Sequence, residues 1–284
     1  TIAMTEENQT RVDEVSKYYK PASKIGLISL CLFWINAILS ICILYSSLVL
    51  DIFAQNILQV LFLVTVLIHF VISQISRFYL IPRAEQMRRK QMLSDAFGAP
   101  LSHDRTSLYY NNHYSPSIKR LGANTMENSL FSKEIVEHML YSKRILIGGY
   151  ILVWILAFTF RDTNLAILVC ITQLVFSGEV IVQWLNLEIL RFRHERTYET
   201  LHAHFLHDVD ENSQKAIATI LDAFVSYESA KSSAGYLLSS KVFNQINPEL
   251  TEKWNQIRNE LNMNLQQDAS LDEDAVDTTP SPVN

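Results

Sequence analysis

Gln55, Gln59, Phe62, Val66, His69, Ser73 and Arg77 recur every three or four residues inside an otherwise apolar stretch. On a helix that spacing puts them on one face, so a mostly polar stripe runs along a segment of membrane-spanning length. A second set, Thr172, Phe176, Glu179, Gln183 and Asn186, shares a face in another apolar stretch. An ionisable residue in hydrocarbon costs about 3 kcal/mol unless it meets protein or water, which singles out Glu179. Counted at ~1.5 Å per residue from the outer turns, Glu179 and His69 lie ~24 Å and ~26 Å inward, at similar depth. Such groups suit the passage of ions. Repeated in an oligomer, Glu179 forms a charged ring that favours cations, and Phe62, Val66 or Phe176 supplies a constriction that shuts by dewetting. The competing reading pairs Glu179 with His69 or Arg77 to hold the bundle together.

A second constellation lies in a basic, aromatic run. Arg105, Lys119 and Arg120 surround Tyr109, Tyr110, Asn112 and Tyr114. Aromatic faces stack bases while cationic groups neutralise phosphate, so this set could hold a nucleotide or a single strand. Beside a membrane the same residue types also serve as interfacial anchors. His194, His202, His204 and His207, near Asp208 and Asp210, resemble a metal cluster; His204 and His207 could share one helix face, but no third ligand is assigned, and a solvated juxtamembrane helix explains all four. Residues 208–219 imitate a calcium loop; Ser213 in place of the required Gly, and Thr219 where the bidentate Glu belongs, reject it. No Walker loop, GxGxxG, GxSxG or HExxH occurs, so neither catalysis nor a cofactor is expected.

The elements that carry these residues follow from hydropathy. Residues 25–50 contain no charge over about 26 positions, enough to cross ~30 Å of hydrocarbon as a helix. After Asp51 the apolar pattern resumes to residue 81, and so tight a turn permits only an antiparallel return. A second, shorter hairpin occupies residues 145–187, with Arg144 and Arg161 snorkelling at the ends of its first span. The expectation is an all-α membrane protein with four transmembrane helices as two hairpins: residues 1–24 cytoplasmic, 25–81 the first hairpin, 82–144 a basic and aromatic middle region, 145–187 the second hairpin, 188–265 a helical C-terminal region and 266–284 a disordered acidic tail. Within the first span Asn36 and Ser40, one turn apart, face a neighbouring helix. Pro82 marks a break or a restart, Asn212 or Ser213 caps a later helix, and Leu250, Trp254, Ile257, Leu261 and Leu265 form a near-heptad seam that seeks a partner.

The net charge of −5 over 284 residues conceals an asymmetry. Formal charge is about zero over residues 1–24, about +5 over 77–144 and about −8 over 188–284. Basic residues border the middle segment while the outer turns carry few, which places both termini and the middle region in the cytoplasm by the positive-inside rule. The outer turns leave no room for an external binding domain. About two dozen polar residues precede the first apolar run, so no cleavable signal is expected. Cys31, Cys42 and Cys170 fall inside spans and are expected to be buried packing residues.

The chain resembles a known family, the four-transmembrane pore-forming effectors encoded beside nucleotidyltransferases in bacterial anti-phage operons. The resemblance rests on the two tight hairpins, the middle soluble block and the helical C-terminal region, with residue-level likeness at Phe97-Gly98, Tyr109-Tyr110-Asn111-Asn112 and Glu127-Asn128-Ser129-Leu130-Phe131. It implies a homo-oligomeric channel, a tetramer being favoured, in the bacterial inner membrane. Opening would depolarise that membrane and arrest the infected cell under a nucleotide messenger made by the operon-encoded nucleotidyltransferase. In the Hailong type the messenger is an oligodeoxynucleotide that keeps the pore shut; in cyclic-nucleotide systems the sign is opposite. The rivals are a small transporter, which would want Gly- or Pro-broken midplane helices, and a non-conducting membrane-anchored adaptor.

Overall fold

The computed structural model describes residues 12–104, 106–107, 110, 114–159, 180–207 and 213–263. After a two-residue strand β1 (Val12–Asp13) and one tight turn, helix α1 (Tyr19–Val49) runs into a short link at Leu50 and Asp51. The Asp51 carboxylate then accepts a hydrogen bond from the Ala54 amide at 3.2 Å and caps α2 (Ile52–Ile75). A wider π turn (Ser76–Leu80) leads directly into α3 (Ile81–Phe97), with Pro82 in its first turn. Pro82 therefore marks a restart within one rod of 46 residues, Ile52–Phe97.

Two described helical stretches, Glu14–Ser46 and Ile52–Phe97, are long and apolar enough to cross a membrane. They pack antiparallel along a seam with 3-4 spacing: Ala22, Ile25, Ser29, Leu32, Asn36, Leu39 and Ile43 on α1 face Leu58, Phe62, Thr65, His69, Ile72 and Ser76 on α2. Away from the seam the surface is Leu27, Leu30, Trp34, Ile38, Phe53, Leu63, Leu67 and Phe70, all exposed, which suits lipid contact. Cys31 and Cys42 lie on this outer side. Both are exposed, contrary to the expected packing role, because they fall between the seam positions of α1. Cys170 lies outside the described residues.

α3 stops at Gly98, whose φ of 64° is left-handed; an added Cβ would also come 3.3 Å from Pro116 Cγ. A second short strand, β2 (Thr106–Ser107), pairs antiparallel with β1, Val12 opposite Ser107 and Asp13 opposite Thr106. α4 (Ile118–Thr159) is 42 residues long and carries the middle region into the third apolar stretch without interruption. There Ile145, Ile151, Leu152, Ile155 and Leu156 are exposed. Residues 160–179, which hold the expected outer turn and most of the fourth span, lie outside the described residues. The chain resumes as α5 (Val180–Leu206), α6 (Gln214–Ala234) and α7 (Ser240–Glu260). Ser213 caps α6 by accepting from the Ala216 amide at 3.1 Å.

α3, the first half of α4, α5, α6 and α7 form a helical bundle around Met92, Leu121, Met126, Leu130, Leu201, Ile220, Phe224 and Trp254. A smaller cluster of Val136, Leu140, Leu187, Leu190 and Ala230 lies toward the apolar half of α4. The seam on α7 finds its partner in this core, since Leu250, Trp254 and Ile257 are all buried there; Leu265 lies outside the described residues. Trp254 is fully enclosed, so Trp254→Ala should cost roughly 3–5 kcal/mol of stability, read as a lowered denaturation midpoint of the detergent-solubilised protein.

Candidate functional site

The polar residues of the first hairpin meet one another. Thr65 Oγ1 donates to Asn36 Oδ1 at 2.6 Å, His69 Nε2 lies 3.1 Å from Ser29 Oγ, and Ser29 and Ser73 hydroxyls are 3.0 Å apart. Asn36 and its neighbours thus face the adjacent helix as expected. Of the predicted stripe, Phe62, His69 and Ser73 enter the seam and are half-buried, Gln55 donates to the Leu50 carbonyl at 2.9 Å, Gln59 and Val66 face outward, and Arg77, though exposed, lays its stem against Gly235. The division is geometric. The seam is centred about 100° around α2 from Gln59, one residue's rotation of an α-helix. Any aqueous path along α2 therefore runs past Gln59 and Val66, on the hairpin's flank, and not between α1 and α2. Thr172, Phe176 and Glu179 lie outside the described residues, while Gln183 accepts from Lys143 Nζ at 3.1 Å across α4 and α5.

The middle-region set is divided as well. Arg105, Tyr109 and Asn112 lie outside the described residues. Tyr110 is half-buried and packs on the main core. Lys119 Nζ sits 5.0 Å from the ring centroid of buried Tyr114. Arg120 is held internally: it donates to both oxygens of Asp95 at 2.7 and 3.1 Å and to the Tyr114 carbonyl at 3.0 Å, and Asn124 donates to the same carboxylate at 2.9 Å. A bound phosphate would meet only the guanidinium hydrogens left over. Among the described residues no group of three His, Cys, Asp or Glu side chains is arranged to hold a metal. His202 and His204 pack instead against Tyr198 and Phe205.

Sequence reasoning missed the charge networks that join the rods to the bundle. On α3, Glu85 pairs with the largely enclosed Lys231 of α6, whose ammonium also lies 3.5 Å from Glu228; Arg89 donates to Glu228 at 2.9 Å and to Ser232 at 3.2 Å. Burial opposes the charge on Lys231, but Glu85, Tyr227 and Glu228 more than compensate and hold its pKa well above the usual lysine range. One position further round α3, Arg88 grips Asp13 through two bonds at 2.7 and 3.0 Å. On the other rod, Arg144 donates to both oxygens of Glu188 at 2.7 and 2.8 Å and to Glu137 at 2.8 Å, and Trp184 Nε1 donates to Glu188 at 2.9 Å. The Arg144 guanidinium, with the Trp184 indole behind it, holds the Glu188 carboxyl below the usual range. Regional charge was a legible signal for part of this: Arg89 with Glu228 and Arg144 with Glu188 join the basic middle block to the acidic C-terminal one, whereas Glu85 with Lys231 runs the other way.

Behind Lys231 lies His194, fully buried, its ring centroid 5.1 Å from that of Tyr227, whose hydroxyl is 3.2 Å from Ser132 Oγ. Neither His194 nitrogen has a hydrogen-bond partner among the described residues. Burial, seconded by the Lys231 charge, depresses its pKa to about 3, and burial pushes Tyr227 up to about 12. No protein-family model, curated protein or solved structure matches the chain.

Lys231→Met leaves Glu85 and Glu228 facing each other across a buried site and should cost roughly 3–5 kcal/mol, with Glu85→Gln/Lys231→Met recovering part of it in a denaturation cycle. His194 is neutral when folded and protonates near 6.5 when unfolded, so the unfolded chain binds the extra proton between about pH 3 and 6.5. Stability should therefore fall as pH drops below 6.5, and His194→Phe should flatten that slope by about one proton in pH-dependent melting.

Proposed function

We propose that the chain is a pore-forming membrane effector, gated by a nucleotide or oligodeoxynucleotide messenger, that depolarises the bacterial inner membrane in anti-phage defence. In this reading it is multi-pass, with four spans in two hairpins and both termini cytoplasmic, and it works as a homo-oligomer, a tetramer being favoured. The messenger comes from an operon-encoded nucleotidyltransferase. The observation that carries the reading is continuity: α2 runs into α3, and α4 runs through the bundle into its apolar half, with no loop between. Rods of 46 and 42 residues, ~69 and ~63 Å long at 1.5 Å per residue, couple any shift in the bundle to the apolar segments.

Assembly has a candidate surface on α5. Val182, Leu185, Ile189 and Phe192 are exposed at 3-4 spacing, opposite the face that carries Leu187, Leu190 and His194. Ile189 and Phe192, 51% and 60% exposed, lie level with the Glu188 and Arg191 charges, so lipid tails do not account for them. Copies in one membrane share an orientation, and such a stripe then meets its equivalents in parallel.

The bonds between Thr65 and Asn36 and among Ser29, His69 and Ser73 favour a second reading, a non-conducting membrane adaptor whose polar residues serve packing alone. Planar-bilayer recording decides between them. The pore reading expects current that oligodeoxynucleotides or cyclic nucleotides modulate, and increased resting leak from Val66→Ser; silent membranes under all ligands would sustain the adaptor. Ile189→Asp/Phe192→Asp should shift the detergent-solubilised protein toward monomer in native mass spectrometry.

A further inference from the structure

The bundle-side foot of the first hairpin gathers cations that meet no acidic partner among the described residues. The Arg83 guanidinium lies 6.0 Å from the Tyr18 ring centroid and 5.9 Å from that of Tyr79, and donates to the Tyr79 hydroxyl at 2.9 Å. Among the described residues no carboxylate lies within 4.0 Å of it, whereas Arg88 and Arg89 further along the same helix are paired with Asp13 and Glu228. Arg83 is exposed, and most of its five N–H donors stay available. Arg77, also exposed, lies 5.9 Å from the Phe78 ring, its stem packed where Gly235, at φ 56°, leaves room. Lys20 and Lys24 are exposed at the same end of α1.

Two features distinguish this cluster from an ordinary solvated basic face. The first is the company of apolar rings: Phe78 is 72% exposed and Tyr79 56%. In water such rings gain nothing by exposure, but beside lipid their bodies meet acyl chains while their polar edges reach the headgroups. The second is depth. At ~1.5 Å per residue Arg77 lies ~39 Å and Arg83 ~48 Å along the rod from Asp51, against ~40–45 Å for a bilayer with its headgroups, a difference that ordinary tilt and side-chain length absorb.

We propose that Arg83, flanked by Tyr18 and Tyr79 and assisted by Arg77, binds the phosphate of an anionic phospholipid in the leaflet facing the bundle. Tyr18 and Tyr79 fix the guanidinium, which presents paired donors to phosphate oxygens; Phe78 lies along the acyl region. The site is at the π turn, so the bound lipid holds the joint between α2 and α3. The inference rests on the hairpin lying in a bilayer and is independent of whether the protein conducts.

The test uses the full chain in vesicles of phosphatidylcholine with a minor fraction of phosphatidylglycerol, then native mass spectrometry of the lipids retained. Wild type should retain phosphatidylglycerol over phosphatidylcholine, and Arg83→Gln should lower that retention roughly tenfold, as expected for one charge-assisted contact. Tyr79→Phe should reduce it less, and Lys253→Gln, which removes the exposed partner of Glu134 within the bundle, should leave it unchanged. Equal retention of the two lipids by wild type overturns the proposal, as does an Arg83→Gln loss no larger than that of Lys253→Gln. Displacement of the lipid by inorganic phosphate assigns the site to a soluble anion and overturns it too. Failure of wild type to float with vesicles defeats both this site and the proposed membrane function, whereas flotation without lipid preference defeats the site alone.

Discussion

An ammonium group enclosed between two carboxylates is the interaction on which the arrangement of the rods depends. Lys231 reaches from α6 to Glu85 on α3, and Glu228 completes the charge balance together with Arg89. Neither carboxylate nor the ammonium would be tolerated alone at such burial, so α3 and α6 are committed to one register. Because α3 is the continuation of α2, that register sets how the first hairpin stands on the bundle. Arg144 and Glu188 perform the matching task for α4 and α5, in a more exposed site with a weaker hold.

The hairpin itself is joined by polar bonds in an apolar setting. Between helices surrounded by hydrocarbon, apolar burial gives little driving force, and association relies on close packing and interhelical hydrogen bonds. Thr65 with Asn36 and His69 with Ser29 and Ser73 provide such bonds along the seam. These residues therefore have a sufficient structural reason to be polar.

What could be read from the sequence was whatever repeats locally. The two apolar rods of the first hairpin, the Asp51 turn, the Ser213 cap and the inward-facing Asn36 all follow from patterns spanning a few residues. The charge networks did not, because Glu85 and Lys231, or Arg120 and Asp95, are brought together only by the tertiary fold. The seam of α7 shows the same limit from the other side: periodicity disclosed a sticky face at Leu250, Trp254 and Ile257 but not that the chain would cover it with its own core. The stripe on α2 was displaced for a subtler reason. A run spaced by fours and threes spreads over a wide arc, and burial divides that arc where the partner helix happens to lie.

The π turn at Ser76–Leu80 holds one residue more per turn than its neighbours. Relaxing it to ordinary α geometry would swing the lipid-side half of the rod by about 100° relative to the anchored half. Gln59 would then point where the α1 contact now stands, and Phe62 would leave it. Such a change would exchange the hairpin's inner and outer faces while Lys231 held α3 to the bundle.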